Sequence, residues 1–404
     1  MKQFFCGLTI GLVTGIIVGV ILSACGIFLY GKVVQKRDAA ASQLAEKIEQ
    51  KAGDLAGKYP SEAEIAELAK TYLSDRHNYG LVIGVLSNSE TKIFGFGRIS
   101  KTVRQAPDGD SVFEIGSITK TFTGLTLALM AQKTEIGLND NLESVLPAEA
   151  KLPDDAGKLI TLKYLASQCS GLPRLPANLS ALSLRNPYKD YSTQKLYEAL
   201  RELHVNKDFI GKHYEYSNFA VGLLGHILAT KSGKSYDDLI WERICQPCGL
   251  QSTRQIPSEK MKGRVVQGHN NGKETPHWDF TALAGCGALY SSANDLLRYA
   301  NVYLQTTDER MAEAADLATT VQFTDKKEKV RVGLGWQVRK MNHEDIVWHN
   351  GGTGGFRSFL AFSKEKKRAI VVLSNSTMSV DEIGMALAKS VLVAPQAEAL
   401  EGKK

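Results

Sequence analysis

Cysteine is scarce where a disulfide framework would need it. Of six cysteines, Cys6 and Cys25 fall in an N-terminal apolar stretch, leaving Cys169, Cys245, Cys248 and Cys286 for the rest of 404 residues. That excludes a cysteine-stapled scaffold. Cys245-Gln246-Pro247-Cys248 has redox or zinc spacing, but no second C-x-x-C or histidine pair completes a metal site. A structural role without metal is expected. Basic stripes are also lacking: 49 Lys and Arg against 43 Asp and Glu give a net charge of +6, spread along the chain. Nothing there would track nucleic-acid phosphates. The cluster Lys364-Glu365-Lys366-Lys367-Arg368 precedes the strand-like run Ala369 to Leu373 and reads as a solvated turn. No internal repeat occurs, and no low-complexity tract beyond residues 38–58. What the chain does have is 43% apolar residues, enough for one large domain or two closely joined subdomains.

From Phe4 to Tyr30 no residue is charged. As a helix this stretch is long enough to cross the roughly 30 Å hydrocarbon layer. Membrane attachment of segment 1–31 is therefore expected, by one of two modes. Leu22-Ser23-Ala24-Cys25 matches a bacterial lipobox, whose cysteine would be acylated after cleavage. Against it, the apolar run is long for a signal, and Gly26 to Tyr30 stays apolar where a lipoprotein is polar, which favours an uncleaved anchor. Lys32, Lys36 and Arg37 would keep the following domain inside on a strict charge count, but large domains translocate largely regardless of such charges. The chemistry below favours the periplasmic or extracellular side.

Residues 32–58, rich in Ala, Gln, Glu and Lys, read as a polar helical stalk. A folded domain over 59–400 follows. Ser61 and Glu64 form an S-x-x-E capping box, and Ile65, Leu68 and Tyr72 recur on one helical face. Leu81 to Leu86 and Thr91 to Phe96 read as a hairpin. The middle, about 113–300, is mainly helical in pattern. Strands return at Val330 to Val338, Ile346 to Trp348, Phe356 to Phe362 and Ala369 to Leu373, before a helix from about Asp381. Strands from 59–112 and 301–400 would then share one sheet, with a helical subdomain inserted between them.

Ser117-Ile118-Thr119-Lys120 is an S-x-x-K tetrad whose spacing stacks both side chains on one helical face. A serine hydroxyl needs a base to become a good nucleophile, and a lysine in a water-poor cleft can serve. The tetrad alone means little, since about one or two chance matches are expected. Ser192 to Lys195 and Ser363 to Lys366 have the same form in polar surroundings. Only Ser117 follows a β-like Val112 to Gly116 and opens an apolar helix containing Phe122, Leu125, Leu127 and Leu129. A helix start also offers free N–H groups to an oxyanion.

Tyr216-Ser217-Asn218 adds a phenol that can relay a proton and an amide that can bind both the lysine and a substrate carbonyl. Tyr299-Ala300-Asn301 matches the pattern too, but lies in an amphipathic helix. His349-Asn350-Gly351-Gly352-Thr353-Gly354-Gly355 follows a strand and lacks a P-loop ending. Its glycines would let a substrate backbone approach, with the Gly352 N–H completing an oxyanion pocket.

The ordered set S-x-x-K, Y-x-N and H-x-G resembles the class C β-lactamase, DD-peptidase and esterase superfamily over roughly residues 60–393. Ser167 to Pro173, Ile244 to Leu250 and Ala284 to Asp295 resemble further family segments. The resemblance implies an α/β fold of the α+β type, an antiparallel sheet with flanking helices beside an all-helical subdomain. It implies Ser117 as nucleophile, Lys120 and Tyr216 as proton-transfer partners, and His349 in the third motif. It places Asn218, Gly351 and Gly352 at the substrate, with no cofactor. The partner would be a small-molecule or peptide substrate of peptidoglycan type; oligomeric state is left open. Two departures stand out. His349 occupies the place of the usual lysine, and an unperturbed histidine is only about a quarter protonated at pH 7. Carboxylate attraction weakens, which shifts the expectation toward an esterase or D-amino-acid-specific peptidase. A true β-lactamase and a non-catalytic cell-wall-fragment sensor are the alternatives. Cys169 and Cys286 replace the usual His and Gly, with no functional reading.

Overall fold

The computed structural model describes residues 42–51, 55, 59–88, 90–179 and 185–393. The expected membrane segment 1–31, with Cys25, lies outside these residues. Among the described residues no helix is long and apolar enough to cross a membrane.

Twelve strands are described: β1 (Gly80–Ser87), β2 (Glu90–Gly97), β3 (Val112–Glu114), β4 (His269–Asn270), β5 (Lys273–Glu274), β6 (Tyr290–Ser292), β7 (Phe323–Asp325), β8 (Val330–Val332), β9 (Gln337–Met341), β10 (Glu344–Gly352), β11 (Arg357–Ser363) and β12 (Arg368–Ser374). Eight of them form one sheet in the order β2-β1-β12-β11-β10-β9-β8-β7. The pairing is antiparallel, with β1 beside β12 joining the two ends of the domain. As expected, strands from both ends share a sheet, and the connection between β2 and β7 carries most of the helices.

Both faces of the central strands are covered. Leu81, Ile83, Val85, Ile370 and Val372 pack against the terminal helices, with Ile65, Leu68, Ile383 and Val391. Val82, Leu86, Val371 and Leu373 face the opposite core. Two-sided burial explains the unbroken apolar run of β12, because no residue meets water. The capping box at Ser61 and Glu64 starts the helix Glu62–Leu73 as the sequence suggests.

Three expectations need correction. Residues 42–51 form a helix that packs on the domain, burying Leu44 and Ile48 beside Leu55, Ile65 and Leu68. The i, i+4 pair Leu44 and Ile48 is too sparse to stand out among polar neighbours, yet this part of the stalk is not free. The run Val330 to Val338 is broken into β8 and β9. There Gly333 and Gly335 bring the backbone against neighbouring chain, and a Cβ on Gly335 would lie 2.2 Å from the Lys120 carbonyl oxygen. Finally, the helix Ala293–Gln305 lies against β1 and β12, where a Cβ on Gly84 would lie 2.9 Å from Leu297. It belongs to the sheet half, so the inserted helical part ends earlier than 300.

Candidate active site

β3 ends at Glu114, and the chain turns through Gly116 at φ +50 into a 3₁₀ turn Gly116–Ile118. The α-helix Thr119–Gln132 follows at once. Ser117 therefore sits in the 3₁₀ turn and Lys120 in the first turn of the helix, so the tetrad straddles a junction. Gly116 is needed here: a Cβ on it would lie 2.6 Å from the Gly352 nitrogen. That contact also brings the end of β10 against the start of the helix.

Lys120 is fully buried. Its Nζ donates to Ser117 Oγ at 3.0 Å, to Asn218 Oδ1 at 2.8 Å and to the Cys286 carbonyl at 2.6 Å. Three acceptors satisfy the three N–H bonds of an ammonium. If one proton leaves, two bonds can remain while a lone pair faces the serine hydroxyl.

Asn218 opens the helix Asn218–Ser232, capped by the Ser217 side chain on the Ala220 N–H. The 167–173 loop fixes this start. Gln168 Oε1 accepts from the Ser217 N–H at 2.6 Å, and Ser217 Oγ donates to the Pro173 carbonyl at 2.7 Å. Asn218 Nδ2 donates to the Tyr188 hydroxyl at 3.0 Å. With both ends of its amide engaged, Asn218 has a fixed orientation. Tyr216 meets the lysine by its ring: Lys120 Nζ lies 4.9 Å from the ring centroid and the Arg174 guanidinium carbon 5.1 Å.

His349 lies on β10, buried, its ring centroid 6.2 Å from that of Tyr216. Burial, aided by the positive charge of Lys120, pulls its pKa down to about 3. The expected partial protonation at pH 7 is thus corrected: the imidazole is neutral. Its Nδ1 lies 2.6 Å from the Asn350 carbonyl, which can only accept. Nδ1 therefore carries the proton, leaving Nε2 as an acceptor.

β9 pairs with β10 only as far as Trp348, so residues 349–352 keep a free edge on that side. The Thr353 N–H donates to the Phe356 carbonyl across the turn into β11. Successive amides of a strand face opposite edges, so the Gly352 N–H faces the free edge. A Cβ on Gly351 would lie 2.9 Å from the Ser117 nitrogen. Two backbone amides and an edge for an extended substrate thus flank Ser117.

A sequence profile of the Beta-lactamase family matches residues 65–392. The chain belongs to the beta-lactamase family. Like other members it is a serine hydrolase. It is 29% identical over 321 residues to the D-alanyl-D-alanine-carboxypeptidase/endopeptidase AmpH of Escherichia coli strain K12, covering 74% of this chain and 80% of that one. It is 26% identical over 327 residues to Protein flp of Staphylococcus aureus strain N315, covering 78% of this chain and 63% of that one. Among solved structures, a class C beta lactamase from Rhodobacter sphaeroides superposes with a TM-score of 0.70 at 22% identity, over 81% of this chain and 98% of that one. A beta-lactamase/D-alanine carboxypeptidase from Pseudomonas syringae gives 0.70 at 20% identity, over 87% and 98%. The fold is therefore the family's.

The other two tetrads have structural uses. Ser192 caps the helix Thr193–Arg201, and Ser363 accepts the Lys366 N–H in the β11–β12 turn. Sequence reasoning missed Tyr188 and the Cys286 carbonyl. Tyr188 sits in no motif, and a carbonyl carries no residue-specific signal. Cys286 contributes its backbone, while its thiol is buried and held above the usual thiol range. Cys245 and Cys248 are free thiols, both raised by burial. Among the described residues no group of His, Cys, Asp and Glu could hold a metal ion.

Proposed function

We propose that this protein hydrolyses esters or peptide bonds of D-amino acids through an acyl-enzyme on Ser117. Lys120, in its neutral amine form, takes the hydroxyl proton as Oγ attacks and becomes the ammonium, keeping its bonds to Asn218 and the Cys286 carbonyl. Tyr216 assists proton transfer to the leaving group, and Asn218 positions the acyl side. The N–H groups of Ser117 and Gly352 receive the oxyanion. Peptidoglycan-type peptides are the favoured substrates, in keeping with the similarity to an AmpH.

The observation that carries the substrate preference is the neutral, buried His349. Without a cation there, a carboxylate beside the scissile bond gains little attraction, so internal peptide bonds and esters rank above penicillins. The test compares kcat/KM for an internal D-Ala-containing peptide bond, a p-nitrophenyl ester and nitrocefin. Nitrocefin turnover exceeding both others would overturn the preference. Adduct mapping with a fluorophosphonate and a labelled penicillin tests the acyl-enzyme itself; failure of both to label Ser117 would favour the non-catalytic sensor. We also propose that the segment Phe4 to Tyr30 anchors the chain and that the domain works outside the cytoplasm, where such substrates occur. Retention in membranes during alkaline carbonate extraction, with loss in a chain starting at Asp38, is the expected result.

A further inference from the structure

We propose that Arg357 is a positioning residue for the oxyanion pocket, a half-buried cation that holds the Gly352 amide from behind the strand. The inference rests on the acyl-transfer reading above.

Arg357 stands directly across from Gly352 in the β10–β11 register, so their Cα substituents share one face of the sheet. That face is opposite to the one carrying His349 and Ser117. A Cβ built on Gly352 would lie 2.8 Å from Arg357 Nη1 and 3.2 Å from the guanidinium carbon. The guanidinium therefore lies flush against the backbone that presents the Gly352 N–H to the free edge.

The same Nη1 donates to the Thr353 carbonyl at 3.1 Å and the Phe356 carbonyl at 2.8 Å, the two ends of the turn after β10. The turn is also confined from outside. A Cβ on Gly354 would lie 2.6 Å from Trp278 Nε1, and one on Gly355 2.4 Å from Thr275 Oγ1. Beside Arg357, Asn350 Nδ2 donates to Asp381 Oδ2 at 2.7 Å, fixing the preceding back-face residue of β10.

A neutral donor could hold the same turn. Burial disfavours the charge on Arg357, while the Asp381 carboxyl nearby favours it. Among the described residues its direct hydrogen bonds go to carbonyls of the turn, not to a carboxylate. Holding a guanidinium partly out of water with no carboxylate directly on it is costly. The placement has a chemical use: positive potential behind the Gly352 amide strengthens with the negative charge that forms on the substrate oxygen. Such a device lowers the barrier more than it tightens substrate binding.

The experiment measures kcat and KM for a p-nitrophenyl ester, and the rate of fluorophosphonate labelling at Ser117. The proteins are wild type, Arg357→Gln, Arg357→Lys and Gly352→Ala, each checked for folding by circular dichroism. Arg357→Gln should lower kcat and the labelling rate by about 10- to 100-fold with KM within about threefold, because oxyanion donors act mainly on the transition state. Arg357→Lys, which keeps the charge, should recover part of that loss. Gly352→Ala, whose methyl would displace the guanidinium, should show the same split. A folded Arg357→Gln with kcat within twofold of wild type, or a loss confined to KM, overturns the proposal. Should both Arg357 variants fail to fold, an unchanged kcat in Gly352→Ala overturns it alone. Absence of labelling in wild type by both the fluorophosphonate and a labelled penicillin would instead sink the acyl-transfer reading.

Discussion

Lys120 and Asn218 are 98 residues apart in sequence, and the ammonium of one donates to the side-chain carbonyl of the other across 2.8 Å. That bond joins the helix starting after Ser117 to the helix starting at Asn218, and the lysine is aimed at the serine by what those two helix starts share.

Removing the amide should therefore misdirect the lysine. Asn218→Ala leaves one N–H of a buried ammonium unpaired, and Asn218→Asp puts a carboxylate beside it. We expect kcat to fall by about 100-fold in Asn218→Ala, in the range found for loss of an acid–base partner. Steady-state kinetics with the p-nitrophenyl ester check this; a change in KM alone would contradict it.

Ser117→Ala should abolish fluorophosphonate labelling without unfolding the chain, although Lys120 loses one of its three acceptors. Ser192→Ala should leave labelling intact but lower stability by about 1 kcal/mol, because it removes a helix cap. An adduct mapped to Ser192 or Ser363 would refute the assignment.

His349 makes a signed prediction about pH. Its folded pKa, lowered to about 3, is below the ordinary histidine value near 6.5. Between those values the unfolded chain binds a proton that the folded chain does not, so stability rises with pH across that window and is fully present above it. Cooling of the melting temperature from pH 7 to pH 4.5 should be smaller in His349→Gln than in wild type. His226 and His269 are also lowered by burial, so the difference between the two proteins is the informative quantity. A neutral His349 contributes no rate transition between about pH 5.5 and 7.5.

His349→Lys places a second cation beside Lys120 in a buried site, and should lower stability. At an effective dielectric near 20, a charge about 4 Å from a carboxylate gains up to about 4 kcal/mol before desolvation. The nitrocefin-to-ester ratio of kcat/KM should therefore rise several-fold. An unchanged ratio in a folded variant would show that position 349 does not meet the substrate carboxylate.

The packed helix at 42–51 makes a prediction about truncation. Ile48→Ala should cost about 2 kcal/mol or more, as for other buried aliphatic residues, and a chain starting at Pro60 should melt well below one starting at Asp38. Equal melting temperatures for the two chains would show that the helix contributes nothing to the domain.

The amino-acid sequence by itself determined the elements whose signals are local. The capping box at Ser61, the β1–β2 hairpin, the two-sided apolar run of β12 and the helix context of Ser117 all follow from patterns within a few residues. It also singled out Ser117, Lys120, Tyr216, Asn218 and the His349 to Gly352 run, because their residue types have few other uses in that order. What tertiary structure decided was everything set by partners distant in the chain. Only folding buries His349 and places Lys120 near it, which makes the imidazole neutral where the isolated residue would be partly charged. Only folding brings the Cys286 carbonyl and the Tyr188 hydroxyl to the site, since neither carries a pattern. The sparse pair Leu44 and Ile48 gains meaning once Ile65 and Leu68 lie opposite, because hydrophobic burial depends on the surface that covers a residue.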